Sequence, residues 1–232
     1  MHIKPIAHIE TPFSQKFGIP RQGNLAAGVL GIIRFEPEFC NPDYLRGIEQ
    51  FSHLWITFGF HQHEGKQPSP LVRPPRLGGN KKLGVFATRS SFRPNGLGLS
   101  VVEIKGVQSN DNQLILKVAG VDMLNHTPVF DIKPYIPYAD AFPQALSGFA
   151  ANEPQRVFSV SYSNGANQEL AIWQMHYPQL PHILKTVLEA DPRPAYKANN
   201  ADPKHYKIQL FDLDIEWKVE EQLITVLSIQ QI

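Results

Sequence analysis

Five strand patterns follow one another in the first part of the chain without regularly alternating helices. They span residues 28–35, 53–62, 100–107, 114–121 and 129–135. The third and fourth alternate apolar and polar residues around the polar cluster Ser109–Asn112, which predicts a hairpin. A doubly wound sheet needs a helix between successive strands. The succession therefore favours a mainly β fold, with an N-terminal β-barrel, over a doubly wound fold.

Helical patterns are fewer than strand patterns. Asn41 suits the N-cap position and Pro42 the first helical position, and apolar residues then fall at helical spacing, which predicts one short helix. Two further helical patterns occur at residues 168–175 and 181–190, and the second has a continuous apolar face. All the other regular segments are predicted to be strands.

A change of composition marks the predicted domain boundary. Ala, Pro, Gly and Asn replace the apolar runs in residues 139–152, so we divide the chain into a barrel domain, 1–145, and a small α+β domain, 146–232. Late in the second domain the apolar residues switch from even to odd positions at Leu210–Phe211. One extra residue in a strand has this effect, so we predict a β-bulge there. Residues 223–229 form the last predicted strand.

The segment Gly84–Ser100 has the composition of a binding site. Its sequence is Gly-Val-Phe-Ala-Thr-Arg-Ser-Ser-Phe-Arg-Pro-Asn-Gly-Leu-Gly-Leu-Ser. Arg89 and Arg93 offer planar donor groups that suit a carboxylate or a phosphate, while Gly96 and Gly98 permit close backbone approach to a ligand. A plain surface turn with an arginine beside it is the alternative interpretation.

A strongly basic segment lies within a chain whose net charge is only +1. The stretch from Lys66 to Arg93 contains no acidic residue, and four prolines predict an irregular loop over residues 66–82. Such a loop is typical of phosphate recognition, and a solvated loop without a partner is the alternative. The predicted phosphate contacts are Lys66, Arg73, Arg76, Lys81, Lys82 and Arg93. Arg193 and Lys197 are the next candidates.

Several classes of protein are excluded or disfavoured. The single cysteine, Cys40, cannot form an internal disulfide, which fits a reducing compartment. No run of about 18 apolar residues and no secretory signal pattern is present, so we predict a cytoplasmic protein without a membrane partner. Gly96 and Gly98 lack the third glycine of a Rossmann nucleotide site, because Val101 stands in its place.

His61 and His63 form a weak metal-binding pattern. Alternate residues at the end of a strand point the same way, and Glu64 follows directly. A metal site needs a third ligand, which the sequence does not place. We predict no metal and keep a metal-dependent hydrolase using His61 and His63 as an alternative.

Several blocks together resemble the TrmO/TsaA family, also called VirR-like. They are residues 84–95 with 98–100, then 122–138, 20–22, 61–62 and 191–196. The resemblance implies an S-adenosylmethionine-dependent tRNA methyltransferase built on a β-barrel in place of the Rossmann fold. It also implies methylation of N6 of threonylcarbamoyladenosine next to the anticodon, at tRNA position 37, and a homodimer whose cofactor sites lie near the subunit interface.

The resemblance also implies the cofactor-binding residues. They are Pro20, Arg21, Gln22, His61, Gln62, Arg89, Leu99, Asp122, Met123, Leu124 and Asn125. The chain departs from the family pattern in three places: Ser91 replaces Pro, Gly96-Leu97 replaces Pro-Ile, and Asn125-His126 replaces Asp-Gly. His126 gives up the easy positive φ that glycine would allow.

No catalytic base is assigned from the sequence. Asp131, Tyr135 and Tyr138 are near the matched blocks, but none of them is convincing as a base for removing the N6 proton. A β-barrel that binds RNA without chemistry is therefore a further alternative, and it predicts no affinity for S-adenosylmethionine.

Overall fold

The structure is a computed structural model that describes residues 2–63, 65, 67–110, 113–153, 158–193 and 204–232. The described strands are β1 (Ala7–Glu10), β2 (Leu30–Phe35), β3 (His53–Gly59), β4 (Leu71–Val72), β5 (Leu83–Gly84), β6 (Leu97–Asn110), β7 (Gln113–Ala119), β8 (Thr127–Pro134), β9 (Ser159–Tyr162), β10 (Tyr206–Leu210), β11 (Leu213–Glu220) and β12 (Leu223–Gln231). The described α-helices are α1 (Pro137–Asp140), α2 (Asn164–His176) and α3 (Leu180–Glu189). The predicted phosphate contact Lys66 lies outside the described residues.

Six antiparallel strands close into a barrel in the order β1, β2, β7, β6, β3, β8. Side chains alternate across each strand, so Leu54 and Ile56 of β3 point into the core while Trp55 lies on the outer face. A six-stranded barrel is narrow enough for such side chains to fill. The mainly β fold is confirmed. The predicted hairpin is confirmed as β6 and β7.

Strand β6 changes partners along its length. Residues 97–103 pair with β3, whereas residues 103–110 pair with β7. The free edge of the first half is approached by the loop before β2, where a Cβ on Gly23 would lie 3.1 Å from the Val101 carbonyl oxygen of β6 and 2.5 Å from that of Gly120. The barrel wall is therefore completed here by a closely packed loop and not by a strand.

The C-terminal part is a small α+β unit. Its sheet has the order β10, β11, β12, β9, with β9 parallel to β12, and α2 and α3 pack beside it. Both predicted helices are confirmed, and α3 buries Ile183, Leu184, Val187 and Leu188. One hydrophobic cluster runs through the barrel and this unit. No helix in the described ranges has the length and apolar character to cross a membrane. The boundary near residue 145 stays a prediction.

The predicted helix from Asn41 is replaced by two short 3₁₀ turns, Pro42–Leu45 and Ile48–Gln50. The Asn41 side chain does cap the first turn, accepting a hydrogen bond of 3.0 Å from the Asp43 N–H. Gly47 then adopts a φ of 85°, in the left-handed region. The cap prediction is confirmed. The continuous helix is wrong, because Gly47 breaks it.

The predicted β-bulge at Leu210–Phe211 is also wrong. Leu210 pairs directly with Leu213, so Phe211 and Asp212 form a tight turn between β10 and β11. Phe211 has a φ of 57° there, and its ring stacks on Tyr177 with 4.2 Å between centroids. A two-residue turn shifts the phase of alternation just as a bulge does. The register shift in this sheet lies further along β11.

Candidate active site

Two cavities adjoin each other, and the first half of β6 lines the larger one. The larger measures about 540 Å³, within the range of small-molecule sites. Its wall contains six of the predicted cofactor residues: Pro20, Arg21, Gln22, Arg89, Leu99 and Asp122. The smaller, of about 210 Å³, is lined by four more: His61, Gln62, Met123 and Leu124. Phe58, Phe60 and Asp122 line both cavities, so the predicted residues surround one continuous region.

Asp122 is the buried carboxylate at the junction of the two cavities. Its Oδ1 is shielded from solvent and has no hydrogen-bond partner among the described residues. Burial raises the pKa of Asp122, and hydrogen bonds from Ser100 and the Gly23 backbone, with the charge of Arg89, only partly offset that rise. A shielded acceptor without a partner is costly in the free protein. It is suited to a ligand that brings a donor or a positive charge.

Arg89 stands at the exposed rim of the larger cavity. One of its guanidinium nitrogens donates a hydrogen bond to the Gln22 side-chain oxygen, which joins the loop before β2 to the segment 84–96. This bond orients the guanidinium and leaves its other N–H groups for an anionic ligand. The segment is therefore part of a cavity wall, and the plain surface-turn interpretation is insufficient.

Part of the wall of the larger cavity was not predicted from the sequence as a binding site. It contains Trp55, Tyr135 and Asp140. Trp55 Nε1 donates a hydrogen bond of 2.9 Å to Asp140 Oδ2, and the Ile136 N–H donates one of 2.8 Å to the same oxygen. These bonds, that of Ile136 first, lower the pKa of Asp140. Alternation in β3 places Trp55 on the outer face, but the sequence gives no sign that Asp140 reaches it.

Both parts of the chain match models of one protein family. Residues 8–141 match the tRNA-methyltransferase O N-terminal domain, and residues 155–232 match the TrmO C-terminal domain. The chain belongs to the TrmO family. This confirms the resemblance stated above.

Relatives and solved structures agree with the family model. The chain is 40% identical over 225 residues to the tRNA (adenine(37)-N6)-methyltransferase of Escherichia coli, covering 97% of this chain and 96% of that protein. It is 41% identical to the putative S-adenosylmethionine-dependent methyltransferase RcsF of Pseudomonas aeruginosa, covering 98% and 96%. A crystal structure of TrmO from Pseudomonas aeruginosa matches with a TM-score of 0.83 and 35% identity, covering 100% of this chain and 97% of that one.

Asn125 is the one predicted cofactor residue of this TrmO-family chain that lines neither cavity. Its side-chain oxygen accepts a hydrogen bond of 3.0 Å from the Thr11 N–H, and its own N–H donates one of 2.8 Å to the Phe13 carbonyl. Asn125 therefore holds the turn against the chain after β1. His126 adopts a φ of 59° despite its side chain, a conformation that costs roughly 1–2 kcal/mol in a non-glycine residue.

Gly98 makes room for a protein side chain. A Cβ at this position would lie 2.3 Å from the Phe58 ring, which forms the wall shared by the two cavities. Phe58 therefore fills the space on the side of Gly98 where a Cβ would point. Gly98 also lines the larger cavity, and its part in close approach to a ligand stays a prediction. The absence of a side chain at Gly98 allows the Phe58 ring to lie between the two cavities.

Arg93 braces its own loop. Its Nη1 donates hydrogen bonds to the Thr88 and Ser90 carbonyl oxygens, at 3.0 and 3.3 Å. These bonds close the segment that carries Arg89 on itself. A role for Arg93 as a phosphate contact stays a prediction.

The basic loop reaches the rim of the larger cavity. Strands β4 and β5 pair and join its two ends. Arg76 donates a hydrogen bond to the Asn152 carbonyl and interacts electrostatically with Arg21 of the cavity wall. Arg73, Lys81 and Lys82 are exposed. The loop thus extends the positive charge of the cavity outwards over the surface.

The C-terminal unit holds the loop that carries Arg21 and Gln22. His182 Nε2 lies 2.8 Å from the Ala27 carbonyl oxygen, and the Gln179 side-chain oxygen accepts a hydrogen bond of 3.1 Å from the Leu30 N–H. His182 belongs to helix α3, and Gln179 directly precedes it. The C-terminal unit therefore helps to position the cofactor loop.

Arg193 cannot serve as the next phosphate contact. It is only 2% exposed, and its guanidinium is paired with Asp191 at 2.8 Å. That prediction is wrong, because the side chain is enclosed. Asp191 also interacts with Arg21: packing around the guanidinium lowers the pKa of Arg21, Asp191 opposes that change, and Arg76 adds to it. Lys197 lies outside the described residues.

His61 and His63 both belong to the wall of the smaller cavity. The His63 ring stacks on Phe92 with 4.5 Å between centroids, and His61 Nδ1 lies 3.5 Å from the Thr127 hydroxyl. Within the described ranges, no group of three or more His, Cys, Asp or Glu side chains is placed to hold a metal. These contacts therefore give no support to the alternative of a metal-dependent hydrolase that uses His61 and His63.

Proposed function

We propose that this chain methylates N6 of threonylcarbamoyladenosine at position 37 of tRNA. As a member of the TrmO family, the chain is an S-adenosylmethionine-dependent tRNA methyltransferase. The threonylcarbamoyl group of the substrate is the finer part of the proposal. That part rests on the family resemblance. The observation that supports methyl transfer from S-adenosylmethionine most directly is Asp122, whose shielded oxygen has no described partner where the two cavities meet.

The donor groups of the site fit S-adenosylmethionine. The guanidinium of Arg89 suits the cofactor's carboxylate, and the carboxylate of Asp122 suits its positively charged half. Phe60, Met123 and Leu124 give the smaller cavity an apolar wall suited to the flat adenine ring. When bound, the cofactor supplies an electrophilic methyl group on a positively charged sulfur.

The chain's own contribution to the reaction is alignment and exclusion of water. The larger cavity has room beside the proposed cofactor residues for an incoming base, between the arginine rim and the Trp55 wall. Holding two reactants in line converts a bimolecular step into an effectively unimolecular one. The basic loop outside the cavity holds the tRNA backbone, and the base must leave its stack to enter.

The substrate assignment is tested with two forms of the same tRNA. We expect tRNA carrying threonylcarbamoyladenosine to accept a methyl group, and the same tRNA without the threonylcarbamoyl group to bind with similar affinity but accept little. Backbone contacts give binding without base identity, so only turnover should distinguish the two. Mass spectrometry of the nucleosides after reaction measures the product. Equal methylation of both tRNAs would contradict the threonylcarbamoyl requirement.

We also propose that the chain works as a homodimer. Large apolar side chains are exposed around the larger cavity and just beyond it, including Phe86 at 77% and Leu99 at 56%. Exposed apolar surface of this kind is typical of a protein interface, and the proposal also rests on the family resemblance. We expect light scattering to give twice the 26.1 kDa of one chain. A fully active species of 26.1 kDa at micromolar concentration would contradict the dimer.

A further inference from the structure

We propose that Asp140 accepts the N6–H of the target adenosine, and that Trp55 and Tyr135 form the wall against which the base lies. This inference rests on the proposed function and assigns the catalytic base that the sequence left open. It starts from these three side chains, which all line the larger cavity and of which Trp55 contacts the other two.

The hydrogen bonds of Asp140 leave one oxygen for a ligand. Both of its described donors, Trp55 Nε1 at 2.9 Å and the Ile136 N–H at 2.8 Å, reach Oδ2. Within the described part of the chain, no hydrogen bond is made to Oδ1. The carboxylate is thus fixed through one oxygen, in a residue that lines the cavity. A fixed acceptor costs little reorganisation when the substrate arrives.

The two aromatic rings beside Asp140 suit a nucleobase. Trp55 and Tyr135 have their ring centroids 5.8 Å apart at an interplanar angle of 54°, and both line the cavity. Trp55 is anchored at its nitrogen by Asp140, so the indole is held in one orientation. Bases removed from a nucleic-acid stack are commonly held by aromatic side chains.

The charge state of Asp140 agrees with an acceptor role. The Ile136 N–H, and then Trp55, lower its pKa, so the group is ionised at neutral pH. Asp122 is the other cavity carboxylate, but it already accepts hydrogen bonds from Ser100 and Gly23 and lies near Arg89. The two carboxylates therefore have different roles: Asp122 binds the cationic cofactor, and Asp140 accepts the hydrogen bond from the target base.

The proposed step balances in atoms and charge. N6 forms a bond to the methyl carbon while the carbon–sulfur bond breaks, and the electron pair of that bond stays on sulfur as a neutral thioether. The N6–H proton passes to Asp140 Oδ1 and then to solvent. The carboxylate is restored for the next turnover, and no oxidant, reductant or further reactant is required.

Asp140→Asn separates this role from a merely structural one. Asparagine keeps an oxygen that can accept from Ile136 and Trp55, but it presents an amide N–H₂ where Oδ1 stood. We expect kcat on threonylcarbamoylated tRNA to fall about a hundredfold or more, with the affinity for S-adenosylmethionine changed less than about twofold. Glu103→Gln, which alters a carboxylate paired with Lys105 outside the cavity, is the matched control and should behave as wild type.

Asp140→Glu is the complementary variant to Asp140→Asn. It keeps the carboxylate but moves it, so we expect its kcat to exceed that of Asp140→Asn. A purely structural Asp140 predicts the reverse order, and that order, or a wild-type kcat in Asp140→Asn, would overturn the proposal. Thermal unfolding checks that both variants fold. Turnover by the wild-type protein on the same tRNA distinguishes failure of the proposed function from failure of the Asp140 proposal. If the wild type shows no turnover, the proposed function is rejected and not the role of Asp140.

A binding measurement with wild-type protein decides the matter if the variants do not fold. The probes are threonylcarbamoyladenosine and its N6-methyl derivative as free nucleosides, compared by calorimetry in the presence of S-adenosylhomocysteine. Loss of a hydrogen bond to a charged acceptor should weaken binding of the methylated nucleoside about tenfold or more. Equal affinities of the two nucleosides would reject Asp140 as the acceptor.

Discussion

Changing Arg73, Arg76, Lys81 and Lys82 together to Ala is expected to weaken tRNA binding about a hundredfold at physiological salt. Each phosphate contact releases counterions, and the loss of four contacts accounts for this factor at about 0.15 M salt. The slope of log K against log[salt] should become shallower by about three. The apparent KM for tRNA should rise accordingly, while cofactor affinity stays nearly unchanged. Filter binding at several salt concentrations measures both effects.

The matched control removes four positive charges elsewhere. Changing Lys105, Lys117, Lys185 and Lys218 to Ala alters the net charge equally, and three of these lysines are already paired with carboxylates. We expect its salt dependence to stay close to wild type. Normal methylation by the loop variant at physiological salt would show that the loop is not the tRNA contact. Arg76 has a second role at Arg21 and Asn152, so a single Arg76→Ala variant should also be measured.

The strands could be predicted from the sequence because one face of each is buried. Period-two alternation follows directly from burial, and β3, β6, β7, β8 and β12 all appear within a few residues of their predicted positions. The same reasoning failed at Phe211, because a tight turn and a bulge shift the phase alike. It failed again after Asn41, where Gly47 stops a helix whose apolar spacing and cap were both present.

Site residues could be predicted from the sequence only where they belong to a motif that resembles the family. Ten of the eleven cofactor residues named from the resemblance line the two cavities. The wall of Trp55 and Asp140 was missed because these residues are far apart in sequence and meet only through the register of β3 and β8 and the short helix α1. The packing role of Gly98 was missed for a related reason: the sequence shows that space is needed at this position, but not that Phe58 fills it.

Asp122→Asn is expected to weaken S-adenosylmethionine binding about tenfold to a hundredfold, the usual loss for a hydrogen bond to a charged group. Isothermal calorimetry measures it. Arg89→Ala should also weaken binding, and Asp214→Asn, which alters a carboxylate paired with Lys207 in the C-terminal sheet, should not. Absence of any heat with wild-type protein would favour the RNA-binding barrel without chemistry.

The same Asp122→Asn variant should make the cofactor-free protein more stable at neutral and alkaline pH. Burial raises the pKa of Asp122 in the folded state, so ionisation costs stability. That cost is absent below the pKa of the unfolded chain, where the carboxyl is protonated in both states, and it is complete above the folded pKa. The gain in melting temperature should therefore shrink as the pH falls towards the ordinary range for aspartate. Asn removes the charge at every pH.

The affinity of the wild type for S-adenosylmethionine should also weaken as the pH falls and Asp122 becomes protonated. The affinity of Asp122→Asn should not fall with pH for this reason. Weaker binding without a gain in stability would show that Asp122 already has a partner in the free protein, and the shielded carboxylate would then not be the feature that selects a cationic cofactor.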